Sequence, residues 1–290
     1  MFTNAFLSGL TMGGTYALVA MGLTLQYGVS RIMNLAYGEF VIAACFAALI
    51  LFTSMGLSPL LALLVVAPAG FAVSWLIYRI LLTPLVRRAP NRGALEVDSI
   101  LATFGMLFIV QGIMLALFGG DYSSYSYFNT PVELLGTTIA ANRLIVLAVA
   151  LAVALAAWSF LMHTRSGTAM RAVAVDPVAA GLVAIDVRWA AAAAFALGGA
   201  IAATGGVLVS MFLTFNANIG VVFTMKALIV VIMGGVGNIG GALAAGLILG
   251  LAESFVATYV DPGLTIAVTY AIFLAVLLLR PNGLFGARAR

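Results

Sequence analysis

The sequence predicts an all-α protein, a polytopic transmembrane helical bundle of about 8–9 membrane segments at roughly 20 residues each. Three observations predict it. Of 290 residues, 64% are hydrophobic and only 8% charged, where a soluble domain carries about a quarter charged residues. The apolar residues fall in charge-free stretches, at Met1 to Ser30, Phe40 to Tyr78, Ser99 to Gly120, Leu144 to Met162, Trp189 to Met225 and Ala227 to Ala252. These stretches do not alternate polar and apolar as barrel strands would, and in lipid every backbone polar group needs an internal partner, so they are helices.

The first stretch is expected to remain as a membrane helix. Its start, "MFTNAFLSGLTMGG", lacks the positive charges that precede a cleavable apolar segment. The second stretch is long enough to cross twice, turning at "GLSP", Gly56 to Pro59. The next two cross once each, and the whole of 1–290 reads as one transmembrane domain.

Loop charge orients the chain, because cytoplasmic loops carry the excess of Lys and Arg. "RILLTPLVRRAPNRGALEVD" holds Arg79, Arg87, Arg88 and Arg92, and the loop at about 163–188 holds Arg165, Arg171 and Arg188. Both are expected inside. "GGDYSSYSYFNTPVELLGTTIAANR" between them is rich in Tyr and Ser, with Asp121, Glu133 and only Arg143. It suits an outer loop. The basic tail "RPNGLFGARAR" goes inside, and counting back puts the N-terminus outside. The net charge of +4 is thereby assigned to loops at membrane exits rather than to nucleic-acid binding.

Parity exposes a break in the last third. The helix from Trp189 to about Phe212 runs outward, so the rest must cross an odd number of times to finish inside. One helix over Ala227 to Ala252 and one over Leu264 to Leu279 would give an even number. The conflict falls on "MGGVGNIGGALAAGLILG", where glycines at 234, 235, 237, 240 and 241 each cost a helix interior about 1 kcal/mol relative to alanine. Two segments are therefore expected to meet at Gly234 to Gly241, as full crossings or as a broken, re-entrant pair. Irregular backbone at membrane depth survives only when buried in protein or lining a watery cavity. Gly234, Gly235, Gly237 and Asn238 thus become candidates for a translocation pathway, with close helix packing as the competing reading. Gly246 and Gly250, at GxxxG spacing, read as helix packing.

Side chains able to do chemistry are few. Arg31, Glu39, Lys226 and Glu253 are placed within a few residues of span ends, and intramembrane charges are costly and functional by default. No metal constellation, triad or phosphate loop is present, so neither a metal, a cofactor nor catalysis is expected. The lone Cys45 reads as a small packing or lipid-facing residue, and His163 as interfacial. "SRIMNLAYGEF" forms a polar notch in which Asn34 and Glu39 are pathway candidates; the competing reading is a short inside turn with Glu39 complementing a helix dipole. A second notch, "TFNANIG" at Thr214 to Gly220, reads as an outer loop. "MGLTLQYGVSRIMNLAYG" and "TGGVLVSMFLTFNANIG" are weakly alike, each passing from a Gly-containing apolar helix into an Asn-bearing turn, and transporters are often built from repeats.

In the inside loop, "HTRSGTAMRAVAVDPVAAGLVAID", Asp176 before Pro177 is a helix-start signal, an acidic cap followed by proline in the first turn. A short helix over "PVAAGLVAI" follows, and it is too short to stand without a surface to pack on. Here the chain resembles the branched-chain amino acid permeases of ATP-binding cassette (ABC) importers, the LivH/LivM-like family. The resemblance rests on "GLTMGGTYALVAMGLTLQYGVSRIMNLAYGEF", "TRSGTAMRAVAVDPVAAGLVAID", "KALIVVIMGGVGNIGGALAAGLILGLAE" and "LLRPNGLFG", in that order. It implies that Arg165, Gly167, Arg171, Ala172, Asp176, Ala179 and Ala180 belong to the coupling loop that docks on the ATPase. It further implies a bacterial inner (plasma) membrane location, a second permease subunit as homo- or heterodimer, cytoplasmic ABC ATPase subunits, an extracytoplasmic solute-binding protein, and the lipid bilayer as surroundings. Branched-chain or other amino acids are the implied substrates, with urea and short amides open. The chain departs from the family pattern at Tyr37, where histidine is usual, and at Ala184, where glycine is usual. The alternative class is a secondary transporter or channel without an ATPase, using Glu39, Lys226 or Glu253; a scaffold without transport is a third.

Overall fold

The computed structural model describes residues 1–134 and 137–286. Among the described residues, eight helices are long and apolar enough to cross a membrane. The elements are α1 (Phe2–Ser30), α2 (Tyr37–Met55), α3 (Pro59–Ile77), α4 (Thr83–Arg88), α5 (Arg92–Phe118), α6 (Ala141–His163), α7 (Arg165–Val175), α8 (Pro177–Leu182), α9 (Val187–Ser210), α10 (Gly220–Gly234), α11 (Ile239–Tyr259) and α12 (Thr265–Leu279). A π-helical segment, Tyr78–Leu82, joins α3 to α4. Pro84 lacks an N–H to continue the regular ladder, and the Tyr78 carbonyl accepts from both the backbone N–H and, at 2.9 Å, the hydroxyl of Thr83.

The expected split of the last third is present: α10 and α11 are separate helices meeting at 235–238. One element lies outside the all-α expectation, a hairpin of β1 (Pro131–Leu134) and β2 (Thr137–Ala140), antiparallel with Val132 opposite Ile139. Its β-branched residues suit strands, and it sits in the loop between α5 and α6, with β2 touching α1 and leading directly into α6.

Helices in lipid gain little by hiding apolar surface from apolar tails, so close packing of small residues holds them together. The centre of the bundle shows how. α1 and α9 cross antiparallel, with Gly22 against Gly198 and the Gln26 side-chain amide donating to the Phe195 carbonyl at 2.9 Å. α11 lies on the other side of α1, where a side chain at Gly246 would meet Ala17 Cα at 2.5 Å. Gly250 is packed against Gly13 in the same seam, so the GxxxG pair is a packing device. α3 lies against α9 in the same way, through Gly70 and Gly199.

The two halves are built alike and run oppositely. α1, an irregular segment at 31–36 and α2 correspond to α9, an irregular segment at 211–219 and α10. α2 packs on α9 while α10 packs on α1, and α3 meets α9 as α11 meets α1. The weak likeness between the two notches in sequence thus has a structural counterpart.

The chain's ends sort onto two faces. Arg31 donates to the Ala174 carbonyl, Gly28 approaches Gly237, and Gly235 approaches Gly286. Together with a cavity of about 300 Å³ touched by Arg79, Arg87, Asp186 and Arg188, these contacts gather the arginine-rich loops on one face. We term it the basic face. Met1, the β1–β2 hairpin and the 119–130 segment lie at the other end, where Ser123 pairs with Phe215. There Tyr125 and Ser210 share a 2.8 Å hydrogen bond, and burial pushes the Tyr125 phenol up to about 12.

Candidate functional site

On the basic face, Thr164 caps α7 by accepting from the Gly167 N–H at 3.0 Å. α7 crosses the end of α6 so closely that a side chain at Gly167 would meet Leu161 Cα at 2.5 Å. Only glycine lets it lie there. Met170 and Val173 bury into a cluster with Leu25, Leu161, Ala190 and Ala194, while Arg165 and Arg171 stay exposed. Arg171 donates back to the Met162 carbonyl and the Thr168 hydroxyl, each at 3.4 Å.

Asp176 caps α8, accepting from the N–H groups of Val178 at 2.9 Å and Ala179 at 3.2 Å. The helix ends at Leu182, shorter than the expected run to Ile185, because Ala184 adopts a left-handed conformation with φ of 62°. Ala180 anchors α8 in the same buried cluster; Ala172 is half-buried and Ala179 exposed. What faces outward is apolar: Val178 is 72% and Leu182 84% exposed, with Val175 and Val183 beside them. The seven loop residues singled out from sequence therefore lie on one helical hairpin with an exposed apolar surface flanked by arginines.

The Asn34–Glu39 notch lies inside the bundle. The Met33 and Leu35 N–H groups donate to Ser99 Oγ (3.3 Å) and Thr103 Oγ1 (3.1 Å) on α5, and Asn34 Nδ2 donates to Gln26 Oε1 at 3.1 Å. Gly38 N–H donates to Thr224 Oγ1 at 2.8 Å, and that hydroxyl donates to the Leu35 carbonyl at 3.1 Å. Thus α2 and α10 begin side by side within the bundle and run in opposite directions. Glu39 is in the first turn of α2, as the dipole reading expects, but it is fully buried, its carboxyl packed on Gly220 at the start of α10. Among the described residues neither of its carboxyl oxygens has a hydrogen-bond partner. The "TFNANIG" notch is correspondingly the lead into α10, with Asn218 accepting from Gln111 of α5 at 3.1 Å.

The glycine cluster sits at the basic face as a tight corner between α10 and α11. Gly235 and Gly237 have φ of 95° and 82°, a conformation that disfavours other residues. A side chain at Gly234 would meet the Ala242 nitrogen at 2.5 Å. Asn238 caps α11 by accepting from Gly241 N–H at 3.0 Å and donates to the Phe285 carbonyl at 2.8 Å; Leu284 N–H donates to the Met233 carbonyl at 2.7 Å. The tail after α12 is thereby tied to the corner. These contacts do not bring Gly234–Asn238 next to Asn34 and Glu39, so the pathway candidates fall at two levels of the bundle.

Glu253 lies toward the end of α11, near a span end as expected, but Lys226 does not. Lys226 is midway along α10, and its Nζ lies 2.8 Å from Glu253 Oε2 on α11 and 2.7 Å from the Tyr16 hydroxyl on α1. The Tyr16 hydroxyl donates to Glu253 Oε2 at 2.9 Å, and the Thr269 hydroxyl of α12 donates to Oε1. Four helices meet on one ion pair beside a cavity of about 400 Å³. Tyr16 and Thr269 were not marked from sequence: a hydroxyl in an apolar run carries no periodic signal of what it faces. Arg143 joins this region by donating to Ser8 Oγ at 2.8 Å.

The family described as "Branched-chain amino acid transport system / permease component" matches residues 5–279. The high-affinity branched-chain amino acid transport system permease protein LivH of Salmonella typhimurium is 29% identical over 300 residues, covering 98% of this chain and 96% of that protein. BraD of Pseudomonas aeruginosa, a permease protein of the same kind of system, is 29% identical over 296 residues, with the same coverage. A probable LivH of Methanocaldococcus jannaschii is 27% identical over 283 residues, covering 93% of this chain and 88% of that protein. No solved structure matches the chain.

Proposed function

Because the chain belongs to the family of branched-chain amino acid transport system permease components, we propose that it is the membrane-spanning permease subunit of an ABC importer in the inner (plasma) membrane, moving branched-chain or related amino acids inward. In this reading it pairs with a second permease subunit, receives substrate from an extracytoplasmic binding protein, and leaves ATP hydrolysis to separate cytoplasmic subunits. The basic face is cytoplasmic, in keeping with the bias of Lys and Arg toward that side, so the N-terminus is outside and the tail inside.

The observation that carries the reading is the α7–α8 hairpin. Its buried side is fixed through Gly167, Met170, Val173 and Ala180, while Val175, Val178, Leu182 and Val183 stand exposed beside Arg165 and Arg171. An exposed apolar patch rimmed by polar groups marks an interaction site. A carrier working without an ATPase would leave it without a purpose. The hairpin is also in contact with the spans: Arg31, at the end of α1, donates to the Ala174 carbonyl of α7 at 3.3 Å, and Leu25 and Val29 of α1 share its buried cluster. A pull on the hairpin by the ATPase would therefore be felt by α1, and differential partner contacts would shift the bundle between outward-open and inward-open states.

The translocation path in this proposal passes the mid-bundle notch, with Asn34 and Glu39, and ends at the corner formed by Gly234, Gly235, Gly237 and Asn238 on the cytoplasmic side. Support comes from the meeting of two buried helix starts, α2 and α10, at irregular backbone within the bundle, an arrangement in which transporters place their sites.

The test is uptake in vesicles containing the assembled system. Arg171→Glu, or deletion of Pro177 to Ile185, is expected to abolish ATP-dependent uptake and copurification of the ATPase. Retention of both would overturn the importer reading, and ATP-independent uptake by the chain alone would favour a carrier.

A further inference from the structure

A cavity of about 400 Å³, lined toward the hairpin end by Ser8, Leu213, Ile219, Thr258 and Thr265, is bordered by the ammonium of Lys226. Glu253 is satisfied: Oε2 accepts from Lys226 and Tyr16 and Oε1 from Thr269, and its side chain is only 4% exposed. Lys226 is not. An ammonium has three N–H donors, two are spent on Tyr16 and Glu253, and its side chain is 18% exposed in the cavity wall. The cavity wall thus carries an ion pair, Glu253 with Lys226, in which Lys226 also lies over the Tyr16 ring, 4.5 Å from its centroid, and among the described residues its third N–H has no hydrogen-bond partner.

The rest of the lining suits the remainder of a small zwitterion. Met12, Val222 and Phe223 offer an apolar wall. Thr258 and Thr265 also line it, and because their hydroxyls donate to the Ser254 and Pro262 carbonyls, each at 2.8 Å, their oxygens are left as acceptors only. A second, polar cavity of about 590 Å³ at the hairpin end shares Leu213 with this one and contains Arg143. Arg143 in turn donates to Ser8, which lines the inner cavity.

We propose that this cavity is an amino acid subsite within the permease, in which Lys226 binds the substrate carboxylate, Thr258 and Thr265 accept from its ammonium, and Met12, Val222 and Phe223 hold an aliphatic side chain. The assignment rests on the importer reading above and adds to it that the permease itself checks for a carboxylate. Substrate selection is then not confined to the binding protein.

The test uses Val222→Cys, a position 42% exposed in the cavity wall, against a background in which the native Cys45 is buried. The assembled transporter in vesicles is labelled with a small thiol-specific methanethiosulfonate reagent, without the binding protein, in the presence of leucine or of leucinol, which lacks the carboxylate. With leucine at about ten times its Kd, labelling is expected to slow roughly tenfold. Leucinol should leave the rate unchanged, and adding Lys226→Gln should remove the leucine effect. Leucine uptake by the unsubstituted chain is measured in parallel. If that uptake proceeds while leucine gives no protection, or leucinol protects equally, the subsite is overturned. If protection is seen but ATP-dependent uptake is not, the importer reading falls and the carboxylate site stands.

Discussion

The carboxyl group of Glu39, in the first turn of α2, occupies the space that a side chain at Gly220, the first residue of α10, would need. Glycine is demanded here by a neighbour's position rather than by its own backbone angles. Gly220→Ala should force the two helix starts apart, at a cost in the range of about 1–3 kcal/mol for overpacking. Thermal unfolding of the purified protein should show the loss. Pairing it with Glu39→Ala should recover part of it, and strictly additive effects would show that the two groups do not share that space.

Ala184 ends α8 with φ of 62° and is solvent-exposed. An alanine in this region costs roughly 1–2 kcal/mol relative to a conformation it prefers, and glycine does not carry that cost. Ala184→Gly should therefore raise the melting temperature slightly or leave it level, because glycine also gains freedom in the unfolded chain. A clear fall would mean that the methyl group makes a contact that the free chain does not reveal.

The apolar patch on α8 predicts a separation of folding from assembly. Val178→Asp and Leu182→Asp change side chains that touch little of the bundle, so expression and melting temperature should stay within about 0.5 kcal/mol equivalent. Copurification of the ATPase and ATP-dependent uptake should drop sharply. Gly167→Ala, by contrast, should damage both, because its methyl group meets the backbone of Leu161.

Lys226 and Glu253 should respond asymmetrically to removal. Lys226→Met leaves Glu253 as a buried charge without its counter-ion and should cost about 3–5 kcal/mol, whereas an apolar pair at both positions should restore much of that stability. Unfolding of the single and double variants in detergent measures the difference. A single variant as stable as the parent would mean that water already compensates the pair.

Much of this architecture is legible in the residues because the membrane leaves the chain few choices. Charge-free stretches must be helices, arginines mark one face, and the glycines at 234–241 interrupt a helix that parity also required to be broken. Asp176 and Pro177 announced α8 through short-range capping chemistry. The left-handed residue that ends α8 was visible only as an alanine where the family resemblance led to an expectation of glycine, and its angle of 62° carries a physical cost.

What lies beyond the sequence is every relationship across helices. Lys226 and Glu253 could be seen as costly charges but not as partners, since residues on different helices are paired by packing and not by spacing. The same holds for Tyr16 and Thr269, which complete the pair, and for Gly220, whose small size answers Glu39. By itself the sequence determined a helical membrane protein with an ordered loop on its basic face, because hydrocarbon and local capping act within each segment. Only the tertiary structure decided where the irregular backbone lies within the bundle and which charge faces a cavity, because those depend on small residues that let distant helices approach.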